Sequence, residues 1–115
     1  MLICFNLTVK NCLHVWQYCR DLLQQGDECV EWIDASQGIF KIKNQVRIAE
    51  QWGHAKQRKN KMSYEKFSRG IRHSRDDGYF DIIERNQTYG VKLVFKFGTA
   101  AIANCEWLKS IIKKY

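Results

Sequence analysis

Two arginines spaced three residues apart are the side chains best suited to recognise a specific ligand. Arg69 and Arg72 fall in a segment whose apolar residues recur at helical spacing, so one side of a predicted helix presents both guanidinium groups. Each group can donate two parallel hydrogen bonds, and two adjacent guanines offer O6 and N7 acceptors at matching spacing. The pair therefore suits a GG step in the major groove of duplex DNA. Ordinary solvated arginines are the alternative interpretation.

Positive charge concentrates around these two arginines. The 115-residue chain carries 19 Lys and Arg against 12 Asp and Glu, for a net charge of +7. Between Lys41 and Arg75 lie 11 of the basic residues but only two acidic ones, whereas the rest of the chain is slightly acidic. A localised positive field favours a polyanion or an anionic membrane surface as partner. A solvated basic face without a partner is the less specific alternative.

Composition and motifs exclude several other classes. The length fits one domain, and 45% hydrophobic with 27% charged residues is a normal globular balance. No apolar run approaches the roughly 20 residues of a membrane span, so we expect no membrane partner. The start at Met1 lacks the basic and apolar regions of a secretory signal. The sequence contains no P-loop, no GxGxxG and no evident His-based triad, so we predict neither an enzyme nor a cofactor.

The cysteines indicate free thiols rather than a metal site or a disulfide framework. Their number is odd, and no closely spaced pair of the CxxC type exists, so a structural zinc is not expected. We predict reduced, largely buried thiols in a reducing compartment at all five positions: Cys4, Cys12, Cys19, Cys29 and Cys105.

The arginine helix must be held by an apolar face on its other side. A helix is predicted from Tyr64 to about Arg75, with Ser63 as its N-cap. Its apolar residues Tyr64, Phe67 and Ile71 fall together, away from the two arginines. The helix therefore attaches to the fold by one face and offers the guanidinium groups on the other.

Periodicity and turn residues place the remaining elements. Helices are predicted over 12–24, from an Asn11 N-cap to a stop at Gly26, and over 45–52, capped by Asn44 and ended by Gly53. Residues 54–61 are expected to form a basic loop. Strands are predicted over 29–33, 39–43, 79–84 and 91–97, the last two joined by a hairpin loop at 85–90. The first dozen residues alternate like a strand, although a helix also fits them.

The order of elements predicts an α+β fold of the winged helix-turn-helix type. Three helices would lie on a small four-stranded antiparallel sheet, and the second helix of the helix pair would enter the major groove. The predicted organisation is an N-terminal extension at 1–12, this domain at 13–98, and an extra amphipathic C-terminal helix at 99–115. The apolar stripe of that last helix consists of Ile102, Cys105, Leu108 and Ile112.

Several short motifs follow one another at spacings that together are distinctive. They are VWQY at 15–18, LL at 22–23, WI at 32–33, GIFK at 38–41, IAEQWG at 48–53, KMSYEKFSRGIR at 61–72 and VFKF at 94–97. In these motifs, over roughly residues 13–98, the chain resembles the ETS DNA-binding domain. The helix motif that contains both arginines is specific, and the tryptophans stand at family positions; the loop before that helix has the length typical of the Spi-type branch.

The resemblance implies sequence-specific binding of double-stranded DNA at a GGA(A/T) core, regulation of transcription and a nuclear location. Arg69 and Arg72 match the two arginines that read the guanines. Other positions are expected to contact the DNA backbone, although Trp52 and Tyr64 could serve only packing and any single lysine could be a bystander. These backbone positions are Val15, Trp52, Lys59, Lys61, Tyr64, Lys66, Arg75 and Lys92.

Departures from the family pattern keep a second function open. His73, Ser74 and Arg75 stand where tyrosines are usual, and Asp76 and Asp77 bring carboxylates that phosphates repel. The alternative is therefore a protein-interaction module that keeps the fold but has lost sequence-specific DNA binding. The C-terminal helix has three alternatives of its own: it covers the domain's own core, binds a protein partner, or inhibits DNA binding.

Overall fold

The computed structural model describes residues 14–56, 60–83 and 93–112. Five helices and four strands follow one another within these ranges. In chain order they are α1 (Val15–Gln25), β1 (Val30–Asp34), β2 (Ile39–Ile42), α2 (Gln45–Ala55), α3 (Tyr64–Asp76), β3 (Phe80–Asp81), β4 (Val94–Phe97), α4 (Thr99–Ala103) and α5 (Glu106–Ile111), with a 3-10 turn at Ala35–Gln37 between β1 and β2.

The four strands form one antiparallel sheet in the order β1-β2-β4-β3. Trp32 pairs with Phe40, and Phe40 pairs with Phe95, so aromatic side chains share one face of the sheet. Phe80 and Phe97 continue that face from β3 to β4. The rings of Phe40 and Phe97 stack with centroids 5.0 Å apart, and both residues are fully buried. This aromatic face is the sheet's contribution to the core.

Helices α1, α2 and α3 complete the core, and α1 contacts both of the others. Tyr18 on α1 is fully buried, and its single hydroxyl hydrogen lies within donating distance of two acceptors on α2, the Ile48 carbonyl oxygen at 3.4 Å and Gln51 Oε1 at 3.3 Å. The Tyr18 ring also meets Phe67 of α3 edge-on at 6.5 Å. With the four-stranded antiparallel sheet, this is the predicted α+β winged helix-turn-helix architecture.

Two predicted helix ends were wrong. The first helix begins at Val15 rather than Cys12, because His14 is extended and caps the helix; its backbone N–H donates to Gln17 Oε1 at 3.2 Å. Asn11 and Cys12 lie outside the described residues. The second helix continues through Gly53 to Ala55. A Cβ at Gly53 would lie only 3.0 Å from Met62 Cβ, so this glycine permits close packing inside the helix instead of ending it.

The last two strands are shorter than predicted. β3 consists of Phe80–Asp81, and Ile82 directly after it is 72% exposed. β4 begins at Val94 because Leu93 has a positive φ of 74°, which takes its backbone out of the extended region. The predicted hairpin loop at 85–90 and the start of the predicted strand at Val91 lie outside the described residues, as does the predicted N-terminal element.

The single C-terminal helix predicted over 99–115 was also wrong. Two short helices, α4 and α5, replace it, and Cys105 between them is extended with φ −144°. The Asn104 side chain donates to the Ala100 carbonyl oxygen at 2.7 Å, which closes α4. The apolar stripe still packs inward, since Leu108 is 0% and Ile112 3% exposed, while Ile102 is half-buried. Residues 113–115 lie outside the described ranges.

The described cysteines agree with the prediction of buried thiols outside any disulfide. Cys19, Cys29 and Cys105 are all buried and unbridged. Burial raises the pKa of the Cys29 thiol to about 12, so this side chain behaves as a small apolar residue at neutral pH. None of the helices in the described ranges is long and apolar enough to span a membrane.

Candidate nucleic-acid interface

Helix α3 is fixed at its start by the predicted cap and along its length by two apolar residues. Ser63 Oγ accepts a hydrogen bond from the Lys66 backbone N–H at 3.3 Å, which satisfies one of the free donors of the first turn. Phe67 and Ile71 are each only 1% exposed. The helix is therefore anchored to the core by one side, and its opposite side is exposed within the part of the chain that the structure describes.

Both predicted base-reading arginines project from that free side. Arg69 and Arg72 are exposed, and the Arg69 side chain retains 58% of its accessible surface. Arg69 Nη2 lies 3.4 Å from Glu65 Oε2 one turn earlier in the helix, so this guanidinium is already oriented by a carboxylate. The i, i+4 spacing of Glu65 and Arg69 could have been read from the sequence, but Glu65 was not among the predicted site residues.

Tyr64 and Lys66 flank the arginines at the start of α3. Lys66 is exposed, and Tyr64 is half-buried with its ring 5.8 Å from that of Phe67. Burial raises the pKa of the Tyr64 hydroxyl to about 12, although the nearby positive charge of Arg72 favours the ionised form and lowers the pKa. The hydroxyl therefore stays protonated at neutral pH and keeps its hydrogen for donation.

Trp52 and Val15 combine core packing with a place at the edge of the helix layer. Trp52 is 8% exposed; its ring lies 5.0 Å from Tyr18, and the Lys56 ammonium lies 5.3 Å from its centroid. The Val15 side chain is buried, and a Cβ on Gly70 of α3 would lie 4.0 Å from its Cγ1. The N-terminus of α1, with its free N–H groups and positive dipole end, thus lies beside α3.

The structure places only some of the other residues predicted to contact the DNA backbone near the start of α3. Lys61 is 86% exposed and pairs with Glu50 of α2 at 3.7 Å, close to the start of α3. Arg75 is exposed and lies about 60° around α3 from Arg72 and about 120° from Arg69, where it borders a cavity with Phe80 of β3. Arg75 therefore lies at the flank of the arginine face. Lys59 and Lys92 lie outside the described residues.

Among the described residues, this face offers hydrogen-bond donors and positive charge rather than a cluster of metal ligands. Within residues 14–56, 60–83 and 93–112, no three His, Cys, Asp or Glu side chains gather closely enough to hold a metal ion. The arrangement can bind a polyanion and present planar donor pairs to it, as a base-reading helix does.

Comparison with known families decides what this architecture is. The Ets-domain family model matches residues 12–98, which include every element from α1 to β4. The chain belongs to the Ets-domain family. The match ends one residue before α4, so the two short C-terminal helices follow the Ets domain directly.

Curated relatives agree with this assignment. Over 88 residues the chain is 41% identical to the DNA-binding protein D-ETS-4 of Drosophila melanogaster, covering 74% of this chain and 16% of that protein. It is 36% identical over 91 residues to the human ETS-related transcription factor Elf-5, covering 76% of this chain and 32% of that protein. With the mouse ETS homologous factor it shares 37% identity over 93 residues, covering 76% and 28% respectively.

The Ets domain is thus the part that these proteins share with this chain. The matched region is less than a third of the length of each of these three relatives. The name of D-ETS-4 describes DNA binding and that of Elf-5 describes transcription, and the region that they share with this chain includes the exposed helix α3.

Proposed function

We propose that this Ets domain binds double-stranded DNA at a GGA(A/T) core with α3 in the major groove, and thereby regulates transcription in the nucleus. One observation carries the proposal: Arg69 and Arg72 are exposed on a helix whose other side is anchored by buried Phe67 and Ile71. Three residues of helix advance about 4.5 Å along the axis. Two guanidinium groups at that separation can meet two successive base pairs, which are about 3.4 Å apart in B-form DNA.

Backbone contacts would surround the base-reading pair. Val15, through its backbone N–H at the positive end of α1, and the Trp52 indole are proposed to meet phosphates, as are Tyr64 and Lys66 on α3. Four further basic residues are also proposed to contact phosphates: Lys59 and Lys61 before α3, Arg75 on α3, and Lys92 in the wing. Placement in the Spi-type branch likewise remains a prediction from loop length.

The proposal is tested by separating base readout from charge. A GGAA duplex and one with a mutated core are titrated with the wild type and with an Arg69→Lys, Arg72→Lys double variant. Lysine keeps the charge but loses the planar bidentate fork. We expect the wild type to prefer the GGAA duplex and the double variant to bind both duplexes alike with an unchanged salt slope. Equal affinity of the wild type for both duplexes, or none for either, contradicts the proposal.

Phosphate contacts have a different signature. Lys59→Ala is expected to weaken binding to all duplexes equally and to flatten the slope of log affinity against log salt by about one unit. A change in base preference caused by Lys59→Ala would show that base readout and backbone contact have been assigned to the wrong residues.

A protein-interaction module with the same fold is the second candidate. Asp76 and Asp77, at the end of α3, are both exposed, so their carboxylates are available to repel phosphates or to attract a basic partner. Failure of the wild type to bind any duplex, together with an intact fold, would favour this candidate.

A further inference from the structure

We propose that Glu65 reads the strand opposite the guanines. In this proposal its carboxylate holds Arg69 in position and accepts a hydrogen bond from the N4 amino group of a cytosine paired with the GG step. The proposal rests on the proposed recognition of a GGA core by α3, and it adds a specificity-determining residue that touches the second strand.

The ion pair between Glu65 and Arg69 provides the first part of the argument. Glu65 Oε2 and Arg69 Nη2 are 3.4 Å apart, although the two side chains are 75% and 58% exposed. Side chains on an α-helix tilt toward its N-terminus, so the Arg69 guanidinium reaches back to the level of Glu65. The two groups therefore approach a ligand together, and any base that meets Arg69 also faces this carboxylate.

The direction of Glu65 around the helix provides the second part. At 100° per residue, Glu65 lies about 40° from Arg69, and Arg72 lies about 60° from Arg69 in the same sense. Glu65 thus points between the two arginines, and it lies about 6 Å from Arg69 along the axis. Its carboxylate faces the base pairs that both arginines face, rather than the flanking phosphates.

The chemistry of a G·C pair provides the third part. Beside the O6 and N7 acceptors of guanine, the major groove presents the N4 amino donor of the paired cytosine. An ionised carboxylate only accepts hydrogen bonds, so cytosine is the base whose groove edge offers it a donor without an adjacent acceptor. Arg69 neutralises the carboxylate, which reduces the repulsion that DNA phosphates would otherwise exert on Glu65.

The test removes one donor from the DNA without changing the charge of either molecule. N4-methylcytosine keeps its pairing hydrogen bond with guanine but replaces the groove-facing N–H with a methyl group. Each of the two cytosines opposite the GG step is replaced in turn, and affinities of the wild type and of Glu65→Ala are measured. We expect the wild type to lose about fivefold or more at one of the two positions, and Glu65→Ala to lose nothing at that position.

A matched variant separates recognition from general electrostatics. Asp76→Asn also removes one carboxylate from the exposed side of α3, but among the described residues it is Glu65, and not Asp76, that pairs with Arg69. Both variants should bind mismatched duplexes more tightly, because each removes a charge that phosphates repel. Only Glu65→Ala should abolish the sensitivity to N4-methylation. Thermal melting checks that both variants remain folded.

Two outcomes overturn the inference. In one, the wild type binds both methylated duplexes as tightly as the unmodified one; in the other, the methyl group weakens Glu65→Ala as much as it weakens the wild type. In either case a retained preference for GGAA over a mutated core leaves the proposed function intact. Loss of that preference in the wild type would instead contradict the proposed function itself.

Discussion

Helix α3 and the α4–α5 segment are both amphipathic, but the fold uses their apolar residues differently. On α3, only Phe67 and Ile71 are buried, and most of the remaining side chains are exposed. The α4–α5 segment instead packs against the sheet: Leu108 is fully buried, and Trp107 lies 6.2 Å from Trp32 of β1.

This difference shows which region is available to a partner. The side of α5 that carries Leu108 is already occupied by the domain's own core, which supports the first of the three alternatives for the C-terminal segment. The arginine side of α3 carries Arg69 with more than half of its side-chain surface accessible. Variants in the two regions should therefore separate stability from recognition.

The largest effect is expected in the C-terminal segment. Leu108→Ala should lower the free energy of unfolding by about 2–5 kcal/mol, because it leaves a cavity at a fully buried position. Urea denaturation measures the loss, and DNA affinity of the remaining folded protein should be unchanged. Unchanged stability combined with loss of a dimer, or with tighter DNA binding, would instead favour the partner or the inhibitory alternative.

The variant expected to change recognition rather than stability lies on α3. Arg72→Ala should reduce discrimination at one guanine of the core by about 1–3 kcal/mol, because one bidentate donor pair is lost. Its melting temperature should stay close to that of the wild type, since the side chain is exposed. Binding-site selection with the variant measures the change. If Arg72→Ala instead lowered stability as Leu108→Ala does, the contrast between the two regions would be wrong.

A helix cap tests whether the interface depends on local stability. Ser63→Ala removes the acceptor of the Lys66 N–H and should cost about 1 kcal/mol of unfolding free energy. Asn44→Ala is the control, because Asn44 caps α2 in the same way, accepting from the Arg47 N–H at 3.0 Å. Chemical denaturation should give similar losses for both variants. A loss confined to Asn44→Ala would show that the α3 cap contributes nothing.

The smallest expected effect is a gain in stability. Gly70→Ala should raise stability by about 0.5–1 kcal/mol, because an added Cβ meets nothing closer than Val15 Cγ1 at 4.0 Å and alanine favours the helix. Gly98→Ala is the opposite control, since its Cβ would clash with the Gly78 carbonyl oxygen. Thermal melting compares the two variants. Equal destabilisation by both would show that the surroundings of Gly70 are tighter than the structure indicates.

Much of the fold could be predicted where local signals agreed with tertiary contacts. Ser63 and Asn44 cap their helices as predicted, and Gly26, with φ 73°, ends α1. These features depend on hydrogen bonds and backbone angles within a few residues, which the sequence displays directly. The separation of Arg69 from Phe67 by helical periodicity was predictable for the same reason.

Elsewhere the local signals were overridden by neighbours distant in sequence. Gly53 was predicted to end the second helix, yet it lies inside α2 because Met62 packs against it. The stripe from Ile102 to Ile112 has the period of one helix, yet the chain becomes extended at Cys105.

The sequence by itself determined the helix-pair and sheet architecture, the placement of Arg69 and Arg72 on one side of a helix, and the concentration of positive charge, because helical period and cap residues act over a few neighbouring positions. Only the tertiary structure decided that the C-terminal apolar stripe packs into the core, and that Arg69 is exposed and already paired with Glu65. Burial depends on which distant elements meet, and a side chain's partners depend on the rotamers that those contacts leave open.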